Sequence, residues 1–463
     1  MSLLATCFAQ QQFCVLIEHL CSQKKQFAVS RHFAGFPAVM TLADRVQHDD
    51  DPAPLSCSTN YPAEVEKVLH YSGKDRDIVD LQQFLQEAEQ AGQQNILFLT
   101  GDKLKQHHSG HEGYPRTRYL ESVNAIMAAK QYGGFYIGAA VNPFKYTQAE
   151  QDAQYYKLHK KIKAGADFFI TQLGFDLSAL KKLQIFMQQN YPKHALLTCI
   201  MPLTAARAHF MHREKVAGIV ISSYILDFLA QEKALGYSER VYMRCALQIL
   251  ICKAWGLAGV HLSACHTAKE QQILAHYLDC YRSMPLSECL ALWYALWQIP
   301  NDRLLQPKVP CYARPASSTE IIQYQKFKLI HRVLFQTKFS QGIGYFIFKR
   351  KFWDRTLANK ILLKVEHMTK HHAVGCESCG QCRLEETLYI CPETCPKGLA
   401  NGPCGGTYLD RCEFGDRECI HSRKARLAKA ILAEDILSEK IIATVPKKIR
   451  GSSSWKNWYR IEY

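Results

Sequence analysis

Residues 65–102 read VEKVLHYSGKDRDIVDLQQFLQEAEQAGQQNILFLTGD. A short β-rich run (VEKVLH, 65–70) gives way to a helical pattern and then to a second β-rich run (NILFLT, 95–100). Within IVDLQQFLQEAEQAG (78–92), Ile78, Leu81, Leu85 and Ala88 share one helical face, and Gly92 stands where a C-cap is expected. Strand, helix and strand in this order form a parallel crossover unit. The alternation continues on both sides. Further β-rich runs occupy 13–18, 36–41, 135–140, 167–172, 195–200 and 258–263, and stretches such as YLESVNAIMAAKQYGG and AEQDAQYYKLHKKIKAGA fall between them with helical spacing. Eight such runs in residues 1–300 predict an α/β fold, a (β/α)8 TIM barrel. GIVISS (218–223) is a ninth candidate, which periodicity alone does not exclude.

Pro300, Pro307, Pro310 and Pro315 interrupt the alternation, so a second domain is expected over 301–463. Its first part, 318–372, reads as basic, aromatic helix, and RKARLAKAILAEDILSEKII (423–442) as one amphipathic helix. Between them lie Cys376, Cys379, Cys382, Cys391, Cys395, Cys404, Cys412 and Cys419, eight of the chain's 19 cysteines. Thiolates at C-x2-C spacing converge on a metal, because a tight turn aims both sulfurs inward. The opening C-x2-C-x2-C and the Cys391-Pro392 and Cys395-Pro396 pairs are similar to ferredoxin-type ligation, which favours one or two iron–sulfur clusters of the 4Fe–4S kind. Structural zinc is the alternative, and a disulfide framework a third reading. The remaining cysteines form no C-x2-C pairs, which fits buried thiols in a reducing cytoplasm. His371 and His372 precede the stretch and are further candidate ligands.

Composition is that of a globular chain, 48% hydrophobic and 21% charged, and no apolar run is long enough for a membrane span. The net charge of +15 comes from two places: 321–374 holds 11 Lys/Arg against 2 Asp/Glu, and 420–463 holds 10 against 4. Such a basic collar suits a solvated surface or an acidic partner such as a ferredoxin. The cysteine spacing matches no common nucleic-acid zinc motif, so nucleic acid is not an expected partner.

Chemistry in a barrel sits at the C-terminal ends of its strands. Those ends carry Glu18, His70, Thr100-Gly101-Asp102, Ala140 followed by Asn142-Pro143, Gln172 and Met201-Pro202. Carboxylates and amides at several ends suggest a polar small-molecule site. His107, His108 and His111 follow Asp102 in a polar loop.

At these residues the chain resembles a known family. Residues 1–300 resemble the flavin barrel of methylenetetrahydrofolate reductase through VLHYSGKDRD, NILFLTGD, AAVNPF, KKIKAGADFFITQLGFD and IMPLT. Residues 301–463 resemble the cysteine-rich partner subunit of the acetogen-type reductase through CGQC, CPETCPKGLANGPCGG and CEFGD. The resemblance implies a natural fusion of two subunits, FAD as cofactor, and reduction of 5,10-methylenetetrahydrofolate to 5-methyltetrahydrofolate. Electrons would come from NAD(P)H or, through the cysteines, from a ferredoxin-like donor. By position, Glu18 matches the general acid, whose pKa burial would raise. Asp102 matches the carboxylate near flavin and pterin, and Gln172 the amide on the pterin. His70, Thr100, Gly101, Asp102, Tyr119, Ala140, Lys160 and Lys161 match FAD contacts, the two lysines at the pyrophosphate. The resemblance also makes 218–223 a loop and helix. Thr100 and Asn142 replace an arginine and a tyrosine of the family, and HLSACHT (261–267) lacks the arginine near the folate tail. The competing function is a non-catalytic folate- or flavin-binding barrel with a structural zinc domain, acting as a partner protein.

Overall fold

The computed structural model describes residues 2–22, 31–45, 50–103, 119–297, 314–415 and 417–460. Eight parallel strands close into a barrel: β1 (Cys14–Leu20), β3 (Phe36–Ala43), β4 (Lys67–Ser72), β5 (Asn95–Leu99), β6 (Tyr136–Val141), β7 (Phe168–Thr171), β8 (Ala195–Ile200) and β9 (Gly259–Leu262). Closure follows from β1, which pairs with β3 on one side and β9 on the other. The short β2 (His32–Phe33) folds antiparallel onto β3. All eight expected strands are present. GIVISS forms no strand: β8 pairs directly with β9, and Ser222 caps the helix Ser223–Ala234 by accepting a bond from Ile225 N.

Helices start where short polar side chains cap them. Asp77, Thr147, Asp176, Thr204 and Thr267 each accept a backbone N–H from the first turn. The helix Ile78–Gln90 buries Leu81, Leu85 and Ala88 as expected, but Ile78 sits in the first turn and stays exposed. The helix Leu3–Ala9 closes the bottom of the barrel. Phe8 packs 5.9 Å from Phe168 and 6.3 Å from Tyr136, both at strand starts. The opposite mouth is thereby the open end.

The expected domain boundary falls at 298–313, outside the described residues. Beyond it come the helices Ser318–His331, Lys338–Phe348 and Thr356–Val374, with a π-helical turn at Arg332–Gln336. Residues 375–419 are irregular apart from short 3-10 turns, as a chain built around turns would be. The single helix expected at 423–442 is two: Ile420–Ala430 and Asp435–Ser438. Leu432 adopts φ 51° between them, and Ala433 N bonds back to Ala428 O, closing the first helix. The tail forms a packed helix, Ser454–Arg460.

The C-terminal region is joined to the barrel. Helix Ile420–Ala430 lies against Gln148–Ala164 through Ala149, Ala153 and Ala425, whose small side chains permit close approach. Asn401 Nδ2 donates to Glu121 Oε2 at 3.1 Å and to Ile442 O at 2.9 Å, and Asn124 Nδ2 donates to the same carbonyl at 2.9 Å.

Candidate functional site at the barrel mouth

Glu18, on β1, faces a cluster of imidazoles. Ser263 Oγ donates to Glu18 Oε2, and His266 Nε2 lies 3.9 Å from the same oxygen. His261 Nε2 meets Thr41 Oγ1 at 2.9 Å, and its ring centre is 5.7 Å from that of His70. Burial pushes the Glu18 carboxyl up, but nearby His266, with His261, Ser263 and His70, brings it down to about 2. The raised pKa expected from burial is therefore reversed, because the pocket is lined with potential cations rather than with hydrocarbon. His70 is moved down to about 4, by desolvation first and then by His261. Its Nε2 is buried and has no hydrogen-bond partner among the described residues. A buried ring nitrogen without a partner in the chain is able to bond a group from outside it.

Thr100, Gly101 and Asp102 follow β5. Gly101 has φ 87°, and a Cβ there would stand 2.2 Å from Ser72 Oγ, so only glycine fits. Thr100 Oγ1 bonds Ser122 Oγ at 3.3 Å. Tyr119 OH donates to the Asp102 carbonyl at 2.8 Å. Asp102 is exposed as a residue, yet its carboxyl is shifted up by desolvation and then by Glu413. Gln172 is half-buried; its Nε2 donates to Ala217 O at 3.1 Å and its Oε1 accepts from Leu173 N.

The lysines expected at a pyrophosphate are occupied otherwise. Lys161 Nζ donates to the Ala140 carbonyl, and Lys160 Nζ to Asn401 Oδ1 at 3.4 Å. Both are buried, with desolvation lowering their pKa, that of Lys160 to about 8. These contacts have a cause. The segment 397–407 crosses this side of the barrel and brings carbonyls that need donors. Lys157 serves Gly402 O and Pro403 O, while Lys145 serves Gly405 O at 2.7 Å and Thr407 O at 2.6 Å. Asn142 Nδ2 bridges Gly218 O and Gly405 O, both at 3.2 Å. Its departure from the family's tyrosine thus supplies a brace.

The eight cysteines fall into two sets. Cys376, Cys379, Cys382 and Cys391 line one cavity with Lys370, Glu366, Arg383 and Glu393. Cys395, Cys404 and Cys419 are electrostatic neighbours of one another, and Cys412 is a neighbour of Cys419. Every described cysteine is free. Among the described residues, no three His, Cys, Asp or Glu side chains close on one point that would hold a single metal ion. His371 and His372 are exposed; His371 Nδ1 meets the backbone carbonyl of Cys376 rather than a thiol. The second set abuts the barrel mouth. Cys404 Sγ bonds Glu413 Oε2 at 3.3 Å, Glu413 pairs with Lys397, and Lys397 Nζ reaches Gly101 O at 2.7 Å. Lys397 also lies over the Tyr119 ring at 5.2 Å.

Sequence reasoning missed Ser263, His261, His266, Lys397 and Glu413. HLSACHT carried a signal, since it places three polar groups after the last strand. Lys397 and Glu413 carried none, because neither lies in a periodic pattern. His107, His108 and His111 lie outside the described residues.

The fold and the mouth define an α/β barrel whose strand ends are flanked on one side by a cysteine-bearing segment. The chain belongs to the methylenetetrahydrofolate reductase family, whose description, "Methylenetetrahydrofolate reductase", matches residues 27–278. A second family, "Methylene-tetrahydrofolate reductase C terminal", matches 356–447. A Caenorhabditis elegans protein described as "Probable methylenetetrahydrofolate reductase (NADPH)" is 25% identical over 248 residues, which are 46% of this chain and 36% of that protein; the chain spans little more than a third of its length. Among solved structures, an uncharacterized Clostridium thermocellum protein described as binding two copies of 5-methyl-5,6,7,8-tetrahydrofolic acid is 14% identical, with a TM-score of 0.43 over 61% of this chain and 100% of that one. EDTA monooxygenase from Chelativorans sp. BNC1 is 10% identical, with a TM-score of 0.34 over 63% of this chain and 99% of its own.

Proposed function

We propose that the chain reduces 5,10-methylenetetrahydrofolate to 5-methyltetrahydrofolate at the barrel mouth, with FAD as cofactor and electrons arriving through the two cysteine sets. The observation that carries this reading is the contact from Cys404 through Glu413 and Lys397 to the Gly101 carbonyl, which sets the second thiol group beside the cofactor end of β5.

The mouth suits the ring end of a flavin. His70 offers its unpartnered Nε2, and the left-handed turn at Gly101 carries Thr100 and Asp102, with Tyr119 bonded to the Asp102 carbonyl. When bound, the flavin would supply the hydride that reduces the methylene carbon. The rest falls to the chain. Ring opening breaks the bond from the methylene carbon to N10, the aminobenzoyl nitrogen, which then needs a proton. Glu18 is the group placed to deliver that proton; its carboxyl is held down to about 2 in the ligand-free site, so it must take up the proton before passing it on. Ser263 holds the Glu18 carboxylate in place. Gln172 would exchange its bond to Ala217 O for the pterin, and Asp102 would face the pterin from β5.

The cysteine sets suit clusters of the 4Fe–4S kind. Four thiols line one cavity, which suits a centre bound by four cysteines. Lys424 adds a second fit. Its Nζ is buried with no hydrogen-bond partner among the described residues, and Cys395 is among its charge neighbours. A thiolate-bound cluster at Cys395 would add negative charge beside this amine, to which Glu121 already contributes. On this reading the electron donor is a ferredoxin-like protein, and the free thiols belong in a reducing cytoplasm.

Metal and flavin analysis of anaerobically purified protein, followed by mixing with a reduced ferredoxin and methylenetetrahydrofolate, tests the proposal. Iron, sulfide and flavin with methyltetrahydrofolate formation are expected. A colourless zinc protein, or full turnover from NADH after Cys404→Ser, would sink it.

A further inference from the structure

Two helices of the C-terminal region present apolar side chains to solvent. In Lys338–Phe348 the inward face is Ser340, Gly344 and Phe348, with Gly344 pressed so close to Tyr459 that a Cβ would stand 2.3 Å from its ring. The outward stripe is Phe339, Ile343 and Phe346, at i, i+4 and i+7, and Phe339 is 79% exposed. Thr356–Val374 repeats the inversion. Ala358, Leu362 and Glu366 face inward, while Leu357, Ile361, Val365 and Met368 face out, Leu357 with 72% exposure. Both inner faces rest on the same tail, through Tyr459 in one case and through Ser453 and Ser454 on Glu366 in the other. The two outer stripes therefore both turn away from that tail. The turn between the helices, Lys351–Asp354, adds exposed Phe352.

The charge on these helices has one sign. Of the eight basic residues in 338–374, six are lysine, and the two acids there are both paired internally. Glu366 is buried against Lys370 at 2.8 Å, and Asp354 is held by Lys456 at 3.2 Å and Arg460 at 2.6 Å. Cations stand over the exposed rings: Lys349 and Arg350 over Phe346, and Arg355 over Phe352. Protein–protein interfaces are depleted of lysine. Lysine flanking exposed aromatic and aliphatic stripes is the composition of helices that lie in the headgroup layer of an anionic bilayer.

We propose that Lys338–Phe348, the Lys351–Asp354 turn and Thr356–Val374 form a peripheral docking surface for an anionic lipid membrane, with Phe339, Phe346 and Leu357 entering the interface. Contact is peripheral, since no helix among the described residues is long and apolar enough to cross a membrane. This inference does not depend on the reaction proposed for the barrel.

The test is co-sedimentation of the full-length holoprotein with vesicles of phosphatidylcholine alone and of phosphatidylcholine mixed with phosphatidylglycerol. Binding to the mixed vesicles only, reversed by high salt, is expected. The Phe339→Asp/Phe346→Asp variant changes only exposed side chains. It should bind about tenfold or more weakly while keeping the visible spectrum of the parent. Failure of the parent to bind mixed vesicles at low salt overturns the proposal. So does binding that the double variant leaves unchanged. Retention on an immobilised acidic protein without any vesicle binding also overturns it and reassigns the surface to a protein partner.

Discussion

The two cysteine sets differ in what holds them. Cys376, Cys379, Cys382 and Cys391 are enclosed by C-terminal residues alone, among them Glu366, Lys370, Arg383 and Glu393. Cys395, Cys404, Cys412 and Cys419 are tied into the barrel. Gln154 donates to Cys404 O at 3.1 Å, Thr147 to Asp410 Oδ1 at 2.7 Å, and Lys103 N to Glu413 Oε1 at 2.7 Å. Disturbance of the first set should stay local, whereas disturbance of the second should reach the mouth. On the proposed function, that difference would give the two sets separate places in a relay, one facing outward and one facing the barrel mouth.

The largest effect should fall outside both sets. Glu18→Gln is expected to lower folate turnover by roughly 10²–10⁴-fold while leaving iron content and visible spectrum unchanged, as steady-state assays and metal analysis would show. A matching loss of iron would instead make Glu18 structural.

The comparison itself is tested by Cys379→Ser and Cys404→Ser. Each should slow flavin reduction by an external donor about 100-fold or more in stopped-flow traces. Only Cys404→Ser should also weaken flavin binding, since its neighbour Glu413 pairs with Lys397 at Gly101. Equal flavin affinity in both variants would erase the distinction.

Lys397→Met leaves the Glu413 carboxylate buried without its cation, because the pair is 2% and 8% exposed. It should cost roughly 3–5 kcal/mol of stability by denaturant melts, most of it recovered in Lys397→Met/Glu413→Gln. The corresponding pair near the first set, Arg383–Glu393, retains Arg450 on Glu393 as a second cation, so Arg383→Met should cost less.

The smallest expected effect is a pH dependence of the mouth. His70 is depressed from 6.5 to about 4, so the unfolded chain takes up its proton first and stability falls as pH drops from 6.5 towards 4. Glu18 is depressed from 4.5 to about 2; its contribution is complete above 4.5 and lost as pH falls towards 2. Thermal midpoints measured against pH should lose the upper limb in His70→Gln and the lower limb in Glu18→Gln, each by a few degrees.

Much of the barrel was legible beforehand. All eight strands could be placed because apolar runs and helical spacing are written locally, and Glu18, His70 and Asp102 could be placed because they follow those runs. The face of Ile420–Ala430 was legible for the same reason, but its stop at Leu432 was not, since the break depends on one residue's left-handed backbone. The sign of the Glu18 shift was not legible either. It depends on Ser263 and His266, which lie nearly 250 positions away in the chain and meet Glu18 only because β9 pairs with β1.

By itself the sequence determined the barrel, its open end and the supply of eight thiols, because periodicity and short-range spacing encode them. Only the tertiary structure decided that the thiols divide into two sets, that the second set reaches Gly101, and that Lys160 and Lys161 serve chain atoms. Those outcomes depend on which carbonyls and carboxylates are buried together when the C-terminal segment docks on the barrel, and buried polar groups must be satisfied by whatever stands opposite them.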